Sequence, residues 1–390
     1  MITEQDVEKE VEDVLKNISS QIESELSIVV GGQVSSGKSS FLNALFSCKQ
    51  SEPVFTVGAE AGITTEPKAY RELAENVIVW DTPGLNDLDE KNVKTTKDFL
   101  AKGHDLAILI VSGAADSGQK ENYEVLKSSV PKGNMLVVLN KADSLSKANR
   151  ETIISQWKEK LDLASSETIY CCSSRGYDPE DKIIDQYTQE ETPISVDDFG
   201  IPRTVFGVDE ITKDIAKKLE KINKDLLFLK SQQNKSKAAL LAITAACVSA
   251  GIAAFFPGSG VTVTGIQVGA ICGLYYIYTG TMLSKTQALA MLPAYATQAI
   301  GRNLFLWAKS IMPPTGYIDA AAVGIAVTLT VSMLLTVNYM LKNNLDLMDT
   351  AATKGIFGDF DSQLGKIVKG ASKTDWANPD FWKKVISRLV

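Results

Sequence analysis

The sequence predicts an α/β domain with a mostly parallel sheet, followed by an all-α apolar module. Two observations lead to this prediction. Short apolar runs alternate with helical patterns over the first 177 residues, which is typical of a parallel sheet covered by helices on both faces. Charge then disappears, since no Asp, Glu, Lys or Arg occurs from Ala238 to Ser284 or from Ala320 to Leu341. The chain therefore joins two parts of different chemistry.

The composition argues against several classes of protein. A net charge of -7 over 390 residues argues against a dedicated nucleic-acid binder, so we expect no nucleic-acid partner. The single histidine, His104, argues against a His-centred metal site or catalytic triad. The five cysteines include no CxxC pair and are typical of buried thiols in a reducing compartment. The charged N-terminal segment predicts a helix and no signal peptide.

The predicted elements follow from apolar periodicity. An amphipathic helix covers residues 1–24, with Thr3 as its cap. The strand "LSIVVGG" and the helix "SSFLNALF" come next, and further buried strands follow at "NVIVWDTPG", "HDLAILIVSG", "NMLVVLNKAD" and "ETIYCCSSRG". Together they predict an α/β domain over residues 25–177. In such a sheet the ligand binds outside the carboxyl ends of the strands, where the polar motifs lie.

The first polar motif, "GQVSSGKS", has the pattern of a phosphate-binding loop between a strand and a helix. Its glycines let several backbone N–H groups point at a β-phosphate, helped by the helix N-terminus. Lys38 would reach the β- and γ-phosphates, and the Ser39 hydroxyl would ligate Mg²⁺. The predicted nucleotide-binding residues of this loop are Gly32, Ser36, Gly37, Lys38, Ser39 and Ser40.

Two further motifs complete the predicted phosphate and magnesium site. In "WDTPG", Asp81 would hold Mg²⁺ through water, and the N–H of Gly84 would contact the γ-phosphate. The loop "EAGITTEP" lies between the phosphate-binding loop and this strand. We choose Thr64 in that loop as the second Mg²⁺ ligand and as a catalytic residue, with Thr65 as the alternative.

The motif "NKAD" predicts the choice of base. The Asp143 carboxylate can accept two hydrogen bonds from guanine N1 and N2, a donor pair that adenine lacks. Lys141 can lie over the base, and Asn140 belongs to the same set. In "CCSSRG", Ser173 and Ser174 could supply backbone contacts to guanine O6. The predicted ligands are therefore GTP or GDP together with Mg²⁺.

The set "GQVSSGKSSFLNAL", "GITTEP", "DTPGL" and "NKAD" resembles the G domain of translation-factor-class (TRAFAC) GTPases, on the dynamin-like and Era-like branch. The resemblance implies GTP hydrolysis at a slow intrinsic rate that self-association of G domains raises. In Ras-like enzymes a Gln that orients the attacking water follows the DxxG glycine, and here that place is Leu85. The resemblance makes Ser35, in the phosphate-binding loop, the candidate for this role. Potassium-dependent relatives carry Asn at the position of Ser35, so the serine here argues against potassium activation.

Two segments connect the halves. Residues 178–207 are acidic, contain three prolines and lack clear periodicity, so we predict a linker or surface insertion with a solvated face. Residues 208–234 carry a helical apolar stripe. We expect this connecting helix to close the G domain, and its stripe to pack on the N-terminal helix as a lever towards the apolar half.

The apolar module spans residues 235–345. Its segment "AALLAITAACVSAGIAAFF" is long enough to cross a hydrocarbon core, and two later segments are equally apolar. Each segment carries small residues at every fourth position, a pattern that lets helices approach closely in membranes and in soluble bundles. Those stripes are Ala238, Ala242, Ala246, Ala250 and Ala254; Gly265, Gly269 and Gly273; and Ala320, Gly324, Thr328, Ser332 and Thr336. A membrane module and a soluble core therefore both remain open.

Charge placement favours a membrane module whose ends face the cytoplasm. Lysines are frequent from Lys213 to Lys237, and Arg302 and Lys309 lie between the later segments. A single crossing by the last segment would place the C-terminus outside, so that segment could be re-entrant. The stretches "FFPGSGVTVTGIQVGAICGLYYIYTG" and "IMPPTGYIDAAAVGIAVTLT" resemble the apolar C-terminal domain of unknown function found on certain bacterial and plastid GTPases. That resemblance implies association with a bacterial inner membrane or an organelle membrane, multi-pass or peripheral.

The tail, residues 346–390, ends in "NPDFWKKVISRLV". Asn378 would cap a helix whose first turn contains Pro379. Its apolar face opposes a basic face, which is typical of a helix on a membrane surface and equally of a helix docked on the G domain. The apolar residues are Phe381, Trp382, Val385, Ile386 and Leu389.

These patterns lead to one hypothesis with three rivals. The hypothesis is a GTPase switch coupled to a membrane-associated helical module, with lipid as a partner. A membrane-remodelling machine that oligomerises on bilayers would need a long stalk, which the sequence lacks. A GTP-binding scaffold or sensor would hydrolyse little GTP. An Era-like ribosome-assembly factor is disfavoured by the acidic balance.

Overall fold

The computed structural model describes residues 4–33, 35–57, 68–82, 99–116, 118–178, 180–185, 187–254, 260–288, 290 and 320–389. It divides into two compact units. One is Ile22–Asn234, and the other combines Met1–Gln21 with Lys235–Val390. The N-terminal helix, predicted as a segment of its own, thus groups with the apolar helices.

The described residues form the following α-helices, in chain order. They are α1 Glu4–Glu23, α2 Lys38–Leu45, α3 Gln119–Ser128, α4 Lys147–Lys160, α5 Val208–Glu220, α6 Asp225–Ser231, α7 Lys235–Ala253, α8 Gly260–Thr279, α9 Ala320–Lys342, α10 Thr350–Ile367, α11 Lys373–Trp376 and α12 Pro379–Ile386. The first unit holds α2 to α6, and the second holds α7 to α12 with most of α1.

A six-stranded sheet forms the centre of the first unit and confirms the predicted α/β architecture. Its order is β2-β3-β1-β4-β5-β6, and only β2 runs antiparallel to its neighbour. All six residues of β4 are buried, as expected for a parallel strand covered on both faces. The strands are β1 Leu26–Gly32, β2 Lys68–Tyr70, β3 Val77–Asp81, β4 Leu106–Val111, β5 Met135–Leu139 and β6 Ile169–Cys171.

The segment predicted as a linker or insertion belongs to the first unit. It contains a separate antiparallel pair of strands, β7 Lys182–Ile184 and β8 Glu191–Pro193. The segment leaves and rejoins the domain at one point, where Ser173 and Phe206 exchange backbone hydrogen bonds of 3.1 and 3.2 Å. It is therefore a surface insertion.

The connecting helix packs within the first unit, as expected of a helix that closes the G domain. The apolar stripe of α5 is buried within the first unit, and α5 lies against α2, the helix that follows the phosphate-binding loop. The predicted packing of this stripe on the N-terminal helix, most of which belongs to the other unit, stays a prediction. The buried residues of the stripe are Val208, Ile211, Ile215 and Leu219.

In the second unit the small-residue stripes permit close approach. A Cβ atom placed at Gly265 would lie 2.8 Å from Glu10 Oε1 of α1, and one at Gly269 would lie 3.2 Å from Val14. One at Gly251 of α7 would lie 2.2 Å from the carbonyl oxygen of Trp376. Glycine at these positions lets α1 pack on α8 and the segment around Trp376 pack on α7.

Two helices of the described residues, α7 and α8, are long and apolar enough to cross a membrane. Of their apolar windows, 33% of α7 and 67% of α8 is buried within the protein. The remaining predicted segment contributes a shorter apolar stretch, Val327–Lys342 of α9. The helix α8 is therefore the more central of the two, and α7 leaves more apolar surface uncovered.

The last helix, α12, begins as predicted. The Asn378 side chain accepts a hydrogen bond from the backbone N–H of Asp380, and Pro379 occupies the first turn. Its apolar face, however, is buried within the second unit against α7, and the Trp382 indole N–H donates to the carbonyl oxygen of Trp376. Neither of the two predicted environments for this face was right, because protein of the helical unit covers it.

Candidate nucleotide-binding site

The phosphate-binding loop runs from the end of β1 to the start of α2 and needs glycine at two positions. Gly37 has a left-handed φ of 83°, and a Cβ there would lie 2.5 Å from Nδ2 of Asn140. A Cβ at Gly32 would lie 2.2 Å from the carbonyl oxygen of Ile110 in β4. The loop is thus wedged between neighbouring strand ends, and this close approach explains both glycines of the motif.

Lys38 and Asp81 interact at this loop, and the charge of each is only partly compensated by its surroundings. Lys38 Nζ donates to the carbonyl oxygens of Gly32, at 3.2 Å, and Gln33, at 3.0 Å. Burial lowers the pKa of Lys38, and the carboxylate of Asp81 opposes that shift. Burial raises the pKa of Asp81, and Lys38 and Lys68 oppose it. Both charged forms lack the solvation they have in water.

A phosphate and a divalent cation fit these residues. The Oδ1 atom of Asp81, at the end of β3, is buried and has no hydrogen-bond partner among the described residues. Such an atom costs free energy unless a cation or donor satisfies it. An anion near Lys38 would likewise favour its protonated form. The donor set of a carboxylate and hydroxyls suits Mg²⁺, which prefers oxygen ligands.

The serines of the loop have different surroundings. Ser36 is completely buried, and its Oγ atom makes no hydrogen bond within the part of the chain that the structure describes. Ser35 is exposed and adopts a left-handed φ of 61°. Ser39 and Ser40 are half-buried in the first turn of α2. The structure thus brings all four predicted serines into the loop and the helix start.

Asn140 joins three parts of the site. Its Nδ2 atom donates to the carbonyl oxygen of Ser36 at 3.0 Å and to that of Gly37 at 3.3 Å. Its Oδ1 atom accepts from the Ser174 hydroxyl at 3.1 Å and from the Cys172 thiol at 3.5 Å. Asn140 therefore ties the phosphate-binding loop to the loop that follows β6.

The residues predicted to contact the base lie at the same edge of the sheet. Lys141 and Asp143 are exposed, with Asp143 in a short 3-10 helix of residues Ala142–Ser144. The Ala142 N–H donates to the carbonyl oxygen of Cys172 at 3.0 Å, which holds this turn beside the end of β6. Ser173 is buried there. The two loops predicted to surround guanine are therefore adjacent.

Four residues of the predicted site lie outside the described residues. They are Thr64 and its alternative Thr65, together with Gly84 and Leu85. Their predicted roles stay predictions.

The prediction missed one polar contact of the loop. Gln33 Nε2 donates to Asp116 Oδ2 at 2.6 Å, and Asp116 Oδ1 accepts from the Gly118 N–H at 3.2 Å. Asp116 follows β4 at the carboxyl edge of the sheet. That position was the available signal, because no motif marks "SGAADSG".

Comparisons with known proteins match the same region. Residues 27–141 fit the family model described as 50S ribosome-binding GTPase. The tRNA modification GTPase MnmE of Nitratidesulfovibrio vulgaris (strain DP4) is 32% identical over 122 residues, which are 30% of this chain and 26% of that protein. MnmE of Ruthia magnifica subsp. Calyptogena magnifica is 26% identical over 159 residues, 38% of this chain and 33% of that protein. The chain thus spans a third or less of the length of these curated relatives.

Solved structures resemble the chain more distantly. Toc33 from Arabidopsis thaliana in complex with GDP and Mg²⁺ has a TM-score of 0.37 and 14% identity, covering 56% of this chain and 93% of that one. The G domain of the T. maritima FeoB iron transporter has a TM-score of 0.31 and 17% identity, covering 50% and 99%.

The family match and the loop geometry agree on one assignment. The matched residues include β1, the phosphate-binding loop, Asp81 and the Asn140–Lys141 pair. Residues 27–141 therefore match a GTPase family model and carry the geometry of a phosphate-binding loop.

Proposed function

We propose that the chain is a GTP-binding and GTP-hydrolysing switch coupled to a membrane-associated helical module. The observation that supports the switch best is the pairing of a glycine-wedged loop with two buried charges that are only partly compensated. An anion would stabilise the buried Lys38 ammonium, and a cation would stabilise the buried Oδ1 atom of Asp81. A nucleotide phosphate with bound Mg²⁺ would supply both the anion and the cation.

The phosphate-binding residues exchange partners when nucleotide binds. Lys38 Nζ gives up the carbonyl oxygens of Gly32 and Gln33 and donates to the β- and γ-phosphates. Mg²⁺, when bound, offsets the charge of these phosphates. The residues that would hold it are Ser39, Asp81 and Thr64. Backbone N–H groups from Gly32 to Ser40 surround the β-phosphate.

The base is recognised at the adjoining loops. Asp143 accepts from guanine N1 and N2, Lys141 covers the ring, and backbone groups at Ser173 and Ser174 face O6. Asn140 acts on the base indirectly, by holding the phosphate-binding loop against the loop after β6.

We assign water positioning to Ser35, the exposed serine of the loop. Ser35→Ala is expected to slow single-turnover GTP hydrolysis by about 10- to 100-fold, because a positioned hydroxyl that orients water is lost. GTP affinity should change little, since the loop backbone makes the phosphate contacts. The exposed Ser165→Ala serves as the matched control. Unchanged hydrolysis in Ser35→Ala would remove Ser35 from the mechanism, and absent turnover in the native chain would favour a scaffold or sensor.

The switch would act through the loops around Thr64 and Gly84. GTP orders such loops through Mg²⁺ and the γ-phosphate, and hydrolysis releases them. Self-association of G domains is a further proposal for how turnover is raised. A remodelling machine that oligomerises on bilayers is the alternative, and it predicts ordered coats on liposomes by electron microscopy.

Membrane association is supported by the uncovered apolar surface of α7. Only 33% of its apolar window is buried, and Ile252 near its end is 48% exposed. Partly exposed apolar surface of this kind is unfavourable in water and favourable in lipid. We place the protein on the cytoplasmic face of a membrane, multi-pass or peripheral.

Flotation with liposomes tests this proposal on the full chain. We expect the native chain to float, and Ile252→Glu to reduce the floated fraction, because a carboxylate on an apolar helix face costs roughly 2 to 3 kcal/mol in lipid. Val196→Glu, at a residue of the first unit that is 37% exposed, is the control and should float normally. A dependence on GDP or a non-hydrolysable GTP analogue would tie the switch to the module. A native chain that stays at the bottom would contradict membrane association.

A further inference from the structure

The surface insertion concentrates exposed apolar side chains. Six of the ten large apolar side chains that are exposed among the described residues lie between Ile183 and Phe206. On the hairpin itself Ile183 is 42% exposed, Ile184 55% and Tyr187 96%. Because successive side chains of a strand point to opposite faces, Ile183 and Ile184 put apolar surface on both faces of the hairpin. A two-stranded hairpin with neither face packed is marginally stable alone, so contact with a partner would stabilise it.

The base of the hairpin is fixed to the G domain. The Gly176 N–H donates to Asp181 Oδ2 at 2.9 Å, just before β7 begins. The Tyr177 hydroxyl is buried and donates to the carbonyl oxygen of Cys48 at 2.7 Å. Lys182 and Glu191 form an ion pair of 2.7 Å across the two strands. The hairpin is thus presented from a fixed base, beside the loop that holds Ser173 and Ser174.

The negative charge of the insertion limits which classes of partner can bind it. Residues 178–207 contain eight Asp or Glu and two Lys or Arg, so they contribute 2 − 8 = −6 to a net charge of -7. Like charge repels nucleic acid, anionic lipid and the same surface of a second copy. The complementary partner is a basic polypeptide.

We propose that the strands β7 and β8 of this hairpin, together with Tyr187, form a docking surface for a basic polypeptide segment in extended conformation. Apolar side chains of the segment would contact Ile184 and Tyr187, while its Lys or Arg residues meet the carboxylates of Asp185 and Glu190. In the described residues β7 and β8 pair as strands only with each other, and the Lys182 carbonyl oxygen accepts from the Arg175 guanidinium, so the edge of β7 is open from Ile183 onward. Pro193 lacks a backbone N–H, which leaves β7 as the better edge for an added strand.

The test uses the full chain and a defined probe. Fluorescence anisotropy follows a labelled peptide of about ten alternating Lys and Val residues, whose Lys side chains share one face in an extended strand. We expect saturable binding, weakened by added salt, and no binding of the same peptide with Glu in place of Lys. The double variant Ile184→Ser/Tyr187→Ser should bind the Lys peptide at least about tenfold more weakly, as expected for loss of two apolar anchors.

Two matched variants make the result decisive. Asp185→Asn/Glu190→Gln keeps the apolar side chains and should lower both the affinity and its salt dependence. Ile252→Ser removes an equally exposed apolar side chain from α7 and should leave peptide affinity unchanged. Retained GTP affinity in each variant shows that the G domain is folded. The proposal is overturned by equal peptide affinity in the native chain and the hairpin variants, by an equal loss in Ile252→Ser, or by the absence of saturable binding.

Discussion

Lys38→Ala is expected to lower the affinity for GTP and GDP by at least about 100-fold, because it removes a charge-assisted hydrogen bond to phosphate from a buried site. The loss is larger than for a surface lysine for two reasons. The Lys38 ammonium is already desolvated before nucleotide binds. The phosphate therefore gives this ammonium an interaction that water no longer supplies. Its removal also leaves the Asp81 carboxylate without its nearest positive charge in a region where phosphate must bind.

Equilibrium titration with a fluorescent GDP derivative measures this effect in the full chain. Lys49→Ala is the matched control, since Lys49 belongs to the same domain, has a side chain that is 56% exposed and forms a surface ion pair with Glu52. Its replacement should leave nucleotide affinity unchanged, as is usual for a surface ion pair. If Lys38→Ala and Lys49→Ala had the same small effect, the loop would not be a phosphate site.

Asp143→Asn is expected to change the preferred nucleotide from GTP to XTP. A carboxylate accepts hydrogen bonds from N1 and N2 of guanine, whereas an asparagine amide brings donors to the same place. Xanthine carries a carbonyl oxygen where guanine has its amino group, and therefore suits the asparagine. We expect GTP affinity to fall by about 100-fold or more and XTP affinity to rise, because mismatched polar groups at a recognition site are penalised heavily.

Competition of GTP and XTP against the same fluorescent nucleotide measures both changes. The control is Asp162→Asn, at a side chain that is 69% exposed and pairs with Lys120. A parallel fall of both affinities in Asp143→Asn would indicate a structural role for Asp143. Unchanged affinities would show that this turn does not contact the base.

The parallel sheet and the phosphate-binding loop could be predicted because their determinants are local. Each inner strand is a run of apolar residues that ends at a polar motif, and the loop needs Gly32 and Gly37 at fixed spacing. The role of Asn140 could not be predicted in the same way. Its contacts with Ser36 and Ser174 join positions far apart in sequence, and they depend on which strands are neighbours in the sheet.

The surfaces that cover the amphipathic helices could not be predicted from the sequence. Periodicity correctly indicated that α1, α5 and α12 each have a face to bury, but it does not name the surface that covers the face. The structure places α5 against α2, and α12 within the helical unit. A glycine stripe is equally ambiguous, because Gly265 and Gly269 admit α1 where a second apolar helix was equally compatible with the pattern.

The grouping of α1 with the apolar helices has a consequence for biosynthesis. Its partner α8 ends at Thr279, which is 279 − 21 = 258 residues after Gln21, the last residue of α1 in that unit. At roughly 5 to 20 residues per second, translation of this interval takes roughly 13 to 50 s. The whole of the nucleotide-binding unit emerges during that time and can fold first. Until α8 appears, α1 lacks the helix that its residues Glu10 and Val14 approach at Gly265 and Gly269.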